Sequence, residues 1–366
     1  MQEKKRSVYM EGVGWRHEKE ASMLRRMEDH DYRGRSIYML TLVTEGRERS
    51  LGTLRWPSGQ PEKAYIEPST LGRLVERCWN SIADYYPGVK PLALQLMPDH
   101  LHGLLFITKE QEAHLGHIVK GFKIGCTHAL RNLEASAPAA GATELSAPNY
   151  NSANRTAHGT PKRAANGTAG GTAANQTEGK KLRSVFASGY QDSVLTGKGQ
   201  LERMFAYIAD NPQRLAMKRL NPERFRIQSL LIAGRNCQLV GNSELLTNPD
   251  KRAVIVHRRY TDEENARLRE EWLACGERGG VLVSAAIAPK EKGVLREAMN
   301  RGYKIILLRE NGFPELYKPS GEAFYACAEG ILLQISPWNY HTEKRTITRE
   351  QCLLLNALAE KIAAGH

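Results

Sequence analysis

The last third of the chain alternates short apolar runs with segments of helical character. The apolar runs are AVIVHRR, GVLVSA, KIILLRE and ILLQIS, and the longest helical segments between and after them are TDEENARLREEWLACGE and TREQCLLLNALAEKIAA. Strands that follow one another through helices pair in parallel by right-handed crossovers, and the helices cover the sheet. The pattern therefore predicts a three-layer, Rossmann-like parallel α/β domain at 250–366, preceded by a linker at 226–249.

This domain carries neither of two common phosphate-binding motifs, because GxGxxG and GxxxxGK[ST] are both missing from it. The turn SAAIAPKEK joins a strand to a helix, and a helix N-terminus attracts anions. Ser284 and Lys290 lie in this turn, so an anion site is one interpretation of the domain. The other is an accessory role in docking or in holding DNA, and no catalytic residue is predicted here.

Residues 136–181 contain almost no large apolar side chains and are rich in alanine, glycine, threonine and asparagine. Such a segment cannot bury enough surface to offset its chain entropy. We therefore expect a flexible insertion inside one domain at 31–225, which follows an N-terminal extension at 1–30.

The sequence on both sides of the insertion predicts an α/β arrangement. Strands are predicted at 36–44, 89–97 and 100–107, a hairpin partner for the first at 49–54, and helices at 69–86, 110–133 and 200–210. Ser69 or Thr70 is suited to begin the first helix as its N-cap. Asn211 and Pro212 should end the last helix, because a residue before proline avoids the α region.

Two histidines lie at the start of an apolar run, in LMPDHLHGLLFI. In a strand, side chains two residues apart share a face, so His100 and His102 point the same way. Two neutral imidazoles side by side supply half of a divalent metal site. A structural pair is the alternative, and for His-x-His in a strand it is the commoner one.

A later helix offers candidates for the rest of such a site. In LERMFAYIADNP, Tyr207 and Asn211 are four residues apart and lie on one helical face. Each has a plain interpretation, as a core aromatic residue and as a helix stop. Together they offer a phenolic nucleophile and an amide oxygen for a His, His, Asn metal site, which suits phosphodiester chemistry.

These segments resemble a known family. MPDHLHGLLF resembles the HUH motif (His, bulky hydrophobic, His) of single-tyrosine HUH transposases, and GYQDSVLTGKGQLERMFAYIADNP resembles the GYxD and YIxxNP segments of the REP-associated tyrosine transposase branch. The resemblance covers about residues 30–225. It implies a ferredoxin-like (RRM-like) α+β catalytic domain, whose antiparallel sheet presents the histidines beneath the helix that carries the tyrosine. The domain at 250–366 is an addition to this family's single domain.

The resemblance also implies the chemistry. His100, His102 and Asn211 would hold Mg²⁺ or Mn²⁺, and Tyr207 would attack single-stranded DNA near a hairpin. The products would be a covalent 5′-phosphotyrosine and a free 3′-hydroxyl. Reverse attack by a 3′-hydroxyl would rejoin the strand without an external energy source.

The GYQD segment contributes two further polar side chains. Tyr190 and Asp192 are expected to shape the site rather than to react. Asp192 is the weaker alternative for a metal ligand or for a group that supports one.

The composition favours a polyanionic partner, because 52 Lys and Arg against 40 Asp and Glu give a net charge of +12. In the helix at 110–133, Lys120, Lys123, Thr127 and Arg131 form a polar and basic stripe suited to a phosphate backbone. A solvated helix face is the alternative. Further DNA contacts are predicted at Lys180, Lys181 and Arg183, whereas His114 and His117 are expected at the surface or on DNA.

The sequence contains neither an apolar stretch of the roughly 18 to 20 residues that a membrane span needs nor an N-terminal signal region. We therefore expect a cytoplasmic, nucleoid-associated protein with no membrane partner. Six cysteines without a CxxC pair predict buried free thiols rather than a zinc knuckle or disulfides.

Two other functions stay open at this stage. One is a non-catalytic nucleic-acid-binding regulator derived from a transposase, and the other is a metal-dependent hydrolase with activated water and Tyr207 as a spectator. A monomer and a homodimer that exchanges catalytic helices are both compatible with the long insertion.

Overall fold

The structure is a computed structural model that describes residues 7–10, 14–17, 27, 30–136, 184–343 and 346–365. The chain forms two compact units, one of Met1–Arg55 and Ile66–Asn211, the other of Trp56–Tyr65 and Pro212–His366. The division therefore falls at residue 211, earlier than the boundary expected between 225 and 250. Nearly all of the expected insertion at 136–181 lies outside the described residues.

The first unit contains a β-α-β-β-α-β succession around a four-stranded antiparallel sheet. The strands are β3 (Ser36–Val43), β6 (Val89–Leu96), β7 (His100–Ile107) and β8 (Gln191–Leu195), in the order β6-β7-β3-β8, and the helices are α1 (Thr70–Asn80) and α3 (Leu115–Ser136). The expected N-terminal extension includes a separate hairpin of β1 (Ser7–Met10) and β2 (Gly14–His17). The predicted antiparallel sheet is thus confirmed.

The two helices cover one face of this sheet. Helix α1 begins where the Ser69 Oγ accepts a hydrogen bond from the backbone N–H of Gly72 at 2.9 Å, as the N-cap prediction required. At the end of α1, the Trp79 ring meets the Phe122 ring of α3 with centroids 5.5 Å apart. A Cβ at Gly103 of β7 would lie 2.3 Å from the Trp79 ring, so only glycine fits there. The histidines, on alternate positions of β7, therefore face the opposite side.

Two local predictions in this unit are wrong. The segment 49–54 does not pair with β3, because β7 and β8 occupy both edges of that strand; β4 (Gly52–Arg55) pairs instead with β5 (Tyr65–Pro68). The helix expected at 69–86 is interrupted at Ser81, after which α2 (Ile82–Tyr85) follows.

Helix α3 starts later than expected, at Leu115 rather than at residue 110. The reason is local, because the His114 Nδ1 accepts a hydrogen bond from the backbone N–H of Gly116 at 3.0 Å. His114 thereby satisfies one of the N–H groups that a helix start leaves without an intrahelical partner.

Helix α4 (Gln200–Leu220) runs through Pro212, although a stop was expected there. An interior proline costs a helix about 3 kcal/mol. Burial on both sides offsets this cost, because Ile208 packs with Met39 and Leu104 of the sheet and Ala216 is fully buried. Helix α4 therefore lies over the sheet face that α1 and α3 leave open.

The second unit has a six-stranded mixed sheet in the order β11-β12-β13-β14-β10-β9. Its parallel strands are β11 (Lys251–Ala253), β12 (Val281–Ser284), β13 (Lys304–Leu308) and β14 (Leu332–Ser336). Its helices are α5 (Asp262–Glu277), α6 (Pro289–Asn300), α7 (Glu322–Glu329) and α8 (Arg349–Ala363). Helices α5, α6 and α7 pack on one face and α8 on the other, which gives the three predicted layers.

The range 226–249 is not a linker, and the sheet is not purely parallel. Strands β9 (Gln228–Ile232) and β10 (Arg235–Gly241) form a hairpin, and β10 pairs antiparallel with β14. Ala233 and Gly234 form its tight turn with φ values of 49° and 78°. The hairpin belongs to this sheet because Cys237 and Leu239 are buried in its core.

Candidate active site

The two histidines of β7 lie side by side beneath α4. The centroids of the His100 and His102 rings are 4.9 Å apart. Tyr207 of α4 comes over the same face, and its ring centroid lies 5.9 Å from that of His102. The structure thus brings together three of the four side chains that the sequence selected, from segments about a hundred residues apart.

Each histidine is oriented through its Nδ1 atom. The Nδ1 of His100 lies 2.7 Å from a carboxylate oxygen of Asp99, and the Nδ1 of His102 lies 2.9 Å from the hydroxyl of Thr41. A carboxylate only accepts, so His100 donates from Nδ1 and its Nε2 keeps a free lone pair when the ring is neutral. The Nε2 atoms are therefore the nitrogens available to a metal.

The electrostatics favour a neutral ring at His102. This residue is 8% exposed, and burial together with the neighbouring His100 lowers its pKa from 6.5 to about 4. At Asp99, burial raises the pKa, but the hydrogen bond to His100 and the charges of His100 and Arg47 outweigh it, and the net pKa is lowered. A neutral imidazole is the form that binds metals.

Asn211 lies one helical turn beyond Tyr207 on α4. Its Nδ2 atom is buried and has no hydrogen-bond partner among the residues that the structure describes. Buried polar atoms are nearly always paired, and the oxygen and nitrogen of an amide are assigned from their hydrogen bonds alone. A bound cation facing the amide oxygen would remove the discrepancy.

Two imidazoles alone would leave a divalent metal short of protein ligands, so a metal at this pair would need a further donor such as the amide oxygen of Asn211. Within the described ranges, no group of three or more His, Cys, Asp or Glu side chains is arranged to hold a metal ion. Two imidazoles and an amide oxygen are suitable ligands for a borderline or hard divalent cation. His100, His102 and Asn211 are the residues that would hold it.

Asp192 does not join the histidines, which overturns its role as the weaker alternative ligand. Along β8 it is paired with Leu40, which is paired with Gly103, on the face that α1 and α3 cover. The β8 residue in the row of His102 is instead Gln191, which is exposed. A sequence motif does not fix which face a strand residue occupies until the register is known.

The predicted basic stripe on α3 lies in the helix layer across the sheet from the histidines. Lys120 and Arg131 are exposed there. Lys123 is half-buried, and its ammonium donates to the carbonyl oxygens of Ala187, at 2.7 Å, and Gly189. Burial lowers its pKa to about 8. Lys123 therefore holds the loop before β8, whereas Lys180, Lys181 and Arg183 lie outside the described residues.

Three polar residues near the histidines were missed from the sequence, namely Thr41, Asp99 and Gln191. Asp99 had a signal, because an acidic side chain directly before His-x-His can reach the first ring. No sequence signal marked Thr41 or Gln191, since they come to lie beside the histidines only through the pairing of β3 with β7 and β8.

The anion site that was one interpretation of the second unit is filled by the chain itself. The buried carboxylate of Glu291 accepts from the backbone N–H groups of Val256, Ile287 and Ala288 at 2.9, 2.7 and 3.1 Å. Lys290 pairs with Asp262 at 2.7 Å. The Ser284 hydroxyl donates to the carbonyl of Val254 at 2.8 Å. The turn SAAIAPKEK thus has its anion already, and no external one is needed.

Comparison with known proteins gives weak matches. No family model matches the sequence. An uncharacterized protein of Haemophilus influenzae is 24% identical over 122 residues, which span 28% of this chain and 64% of that protein, less than two thirds of its length.

Two solved structures also match weakly. A candidate transposase from Deinococcus radiodurans matches with a TM-score of 0.25 and 13% identity over 50% of this chain and 97% of that one. DNA processing protein A from Helicobacter pylori, described for its single-stranded DNA binding, matches with a TM-score of 0.28 and 17% identity. The match covers 38% of this chain and 66% of that one. No helix in the described parts of the chain is long and apolar enough to cross a membrane.

Proposed function

We propose that this chain is a DNA transposase, a nuclease and strand transferase that nicks and rejoins single-stranded DNA through Tyr207. His100, His102 and Asn211 would hold Mg²⁺ or Mn²⁺ beside it. One observation carries the proposal: a tyrosine ring on α4 lies 5.9 Å from a buried histidine that is one of an adjacent pair. The partly open position of Tyr207, 39% exposed, allows a polynucleotide to reach its hydroxyl.

The reaction is a transfer of a phosphodiester to tyrosine. The Tyr207 oxygen attacks phosphorus, the bond from phosphorus to the 3′-oxygen breaks, the phenol proton passes to solvent, and the 3′-oxygen takes up a proton. The metal, when bound, would stabilise charge on the non-bridging oxygen. Attack by a 3′-hydroxyl on the phosphotyrosine reverses these changes, so the strand is rejoined with conservation of bond energy.

The fold supports this function. The order β6-β7-β3-β8 with helices α1 and α3 on one face is that of a ferredoxin-like sheet, the fold implied by the HUH resemblance. Hairpin DNA is the proposed substrate, and the net charge of +12 favours such a polyanion. For the Rossmann-like unit we propose an accessory role in holding DNA.

The test is a covalent adduct. The full chain is incubated with labelled hairpin DNA and Mn²⁺, then separated under denaturing conditions. A protein-linked label is expected for the parent and for Tyr85→Phe, whose side chain is 78% exposed on α2. Tyr207→Phe should give none, and His100→Ala and Asn211→Ala should give much less. Adduct formation by Tyr207→Phe at the parent level would refute the proposal.

Two other outcomes select the alternatives. Cleavage without an adduct, with solvent ¹⁸O in the product phosphate, would identify a metal-dependent hydrolase in which Tyr207 is a spectator. DNA binding that survives in His100→Ala, with no cleavage by the parent, would identify a non-catalytic regulator.

A further inference from the structure

A cleft of about 570 Å³ opens in the first unit next to Thr41, whose hydroxyl contacts the His102 ring. Its lining includes Thr41, Arg47, Ser188 and Asp192. A volume of this size lies within the range of about 300–1,000 Å³ typical of small-molecule sites. The cleft is thus large enough for a nucleotide unit of a longer strand.

The cleft adjoins the candidate metal site through two of its lining residues. Thr41 contributes to the wall and also contacts His102. Arg47 contributes to the wall and also contacts the Asp99 carboxylate, which in turn holds His100. The cleft wall and the histidine pair are therefore linked by direct side-chain contacts through Thr41 and through Asp99.

Two glycines make the wall accessible to a ligand. Gly46 and Gly189 line the cleft, and their φ values of 61° and 76° are in the left-handed region that favours glycine. A Cβ built on either would meet no atom of the described residues within 4 Å. The backbone is therefore bare on this side, which lets the flat face of a base or a sugar approach closely.

Arg47 is the cationic side chain of the lining. Its side chain is 70% exposed, and its Nη1 lies 3.4 Å from the Asp99 carboxylate. This long contact leaves most of the guanidinium facing solvent, and a guanidinium presents five N–H donors in a planar fork that suits a phosphate. Asp192 also lines the cleft, but its side chain lies on the face turned away from the histidines.

We infer that this cleft holds the nucleotide that adjoins the scissile phosphate in single-stranded DNA, with Arg47 on its phosphate and the glycine wall against its sugar and base. The inference rests on the proposed function, since it takes the histidine pair as the place of cleavage. It assigns substrate recognition to the segments 44–47 and 187–189, rather than to the α3 stripe across the sheet.

The test measures binding without chemistry. A fluorescein-labelled single-stranded oligonucleotide is titrated with the full chain carrying Tyr207→Phe in EDTA, and anisotropy is followed at several salt concentrations. Arg47→Ala should weaken binding about tenfold, as expected for loss of a charged hydrogen bond. The slope of log Kd against log salt should fall by about 0.7, the value for one phosphate contact to a single strand.

Arg49→Ala is the matched control, because this exposed arginine is two residues away and is not among the lining residues. It should bind within about twofold of the parent. Ser188→Trp fills the cleft from an exposed position without changing charge, and it should weaken binding with an unchanged salt slope. Equal effects of Arg47→Ala and Arg49→Ala, or parent-like binding by Ser188→Trp, would overturn the inference.

A free nucleotide is the competing occupant. Thymidine monophosphate should compete only weakly with the oligonucleotide. If it binds as tightly as the oligonucleotide and loses this binding in Arg47→Ala, the assignment to a strand is overturned. The adduct assay distinguishes the two failures. An adduct with unchanged binding by Arg47→Ala refutes the cleft assignment alone. Weakened binding with no adduct refutes the proposed function, and Arg47 is then a contact to single-stranded DNA that is not defined by a scissile phosphate.

Discussion

Gly103 packs against Trp79 on the sheet face opposite the histidines, so replacing Gly103 by alanine tests which face each residue occupies. The added Cβ would lie 2.3 Å from the Trp79 ring, whereas ordinary contact begins at 3.4 Å. Trp79 is 2% exposed and is held by Phe122, so it cannot yield the roughly 1 Å required. Overpacking of this kind costs about 1–3 kcal/mol, and we expect the upper end of that range.

Gly125→Ala is the matched control on α3. No atom in the described ranges lies within 4 Å of its added Cβ, and alanine favours a helix over glycine by about 0.8–1 kcal/mol. Urea denaturation should show Gly103→Ala less stable than the parent and Gly125→Ala equally or more stable. If Gly103→Ala were as stable as the parent, the placement of Trp79 on that face, and of the histidines on the other, would be refuted.

Three further predictions concern titration and hydrogen bonding. Asp99→Asn should weaken Mn²⁺ binding about 10–100-fold, measured by electron paramagnetic resonance, because the charge that orients His100 is lost; unchanged affinity would contradict this role. Burial, aided by His100, lowers the pKa of His102 from 6.5 to about 4. As the pH falls, the His102 ring of the unfolded chain therefore takes up a proton before that of the folded chain. The free energy of unfolding should be highest above pH 6.5 and should fall by about 3 kcal/mol between pH 6.5 and 4. Denaturation in EDTA should show this fall in the parent but not in His102→Gln. Parallel curves of the free energy of unfolding against pH for the two proteins would exclude it. Glu291→Ala should lower the free energy of unfolding of the second unit by about 3 kcal/mol, because three N–H groups lose their acceptor, and added phosphate should restore part of this loss. A variant as stable as the parent would count against the capping role.

Local patterns predicted much of the fold correctly. The strand-helix alternation after residue 250 predicted β12, β13 and β14 and the helices around them, because each run is long enough to reveal its own period. The first strand, β11 (Lys251–Ala253), shares only Ala253 with the predicted run AVIVHRR. Ser69 began α1 as its side-chain chemistry required. His100 and His102 share a face because alternation along a strand needs no knowledge of its partners.

The features that the sequence did not reveal depend on tertiary contacts. Pro212 lies inside α4 because burial of Ile208 and Ala216 outweighs a local helix stop. The hairpin of β9 and β10 was taken for a linker, since two short strands give little periodicity until β14 supplies an edge. Lys123 appeared suited to DNA, but its ammonium faces backbone carbonyls that a distant segment brings to it.

The candidate site shows the same division. The residues at 100, 102, 207 and 211 were selected from the sequence as types that suit metal and phosphoryl chemistry, and the structure brings the first three together. Thr41 and Gln191 could not be selected, because they reach the row of His102 through strand register alone. Glu291 likewise fills the anion site through a fold that its sequence position does not reveal.

Mass spectrometry can locate the covalent bond that Tyr207 is proposed to form with DNA. The full chain is reacted with hairpin DNA and Mn²⁺, the DNA is trimmed with nuclease, and the protein is digested with trypsin. A nucleotide mass is expected on the peptide MFAYIADNPQR, residues 204–214, with fragment ions that place it on Tyr207. A nucleotide on another tyrosine, or DNA cleaved with no modified peptide, would contradict it.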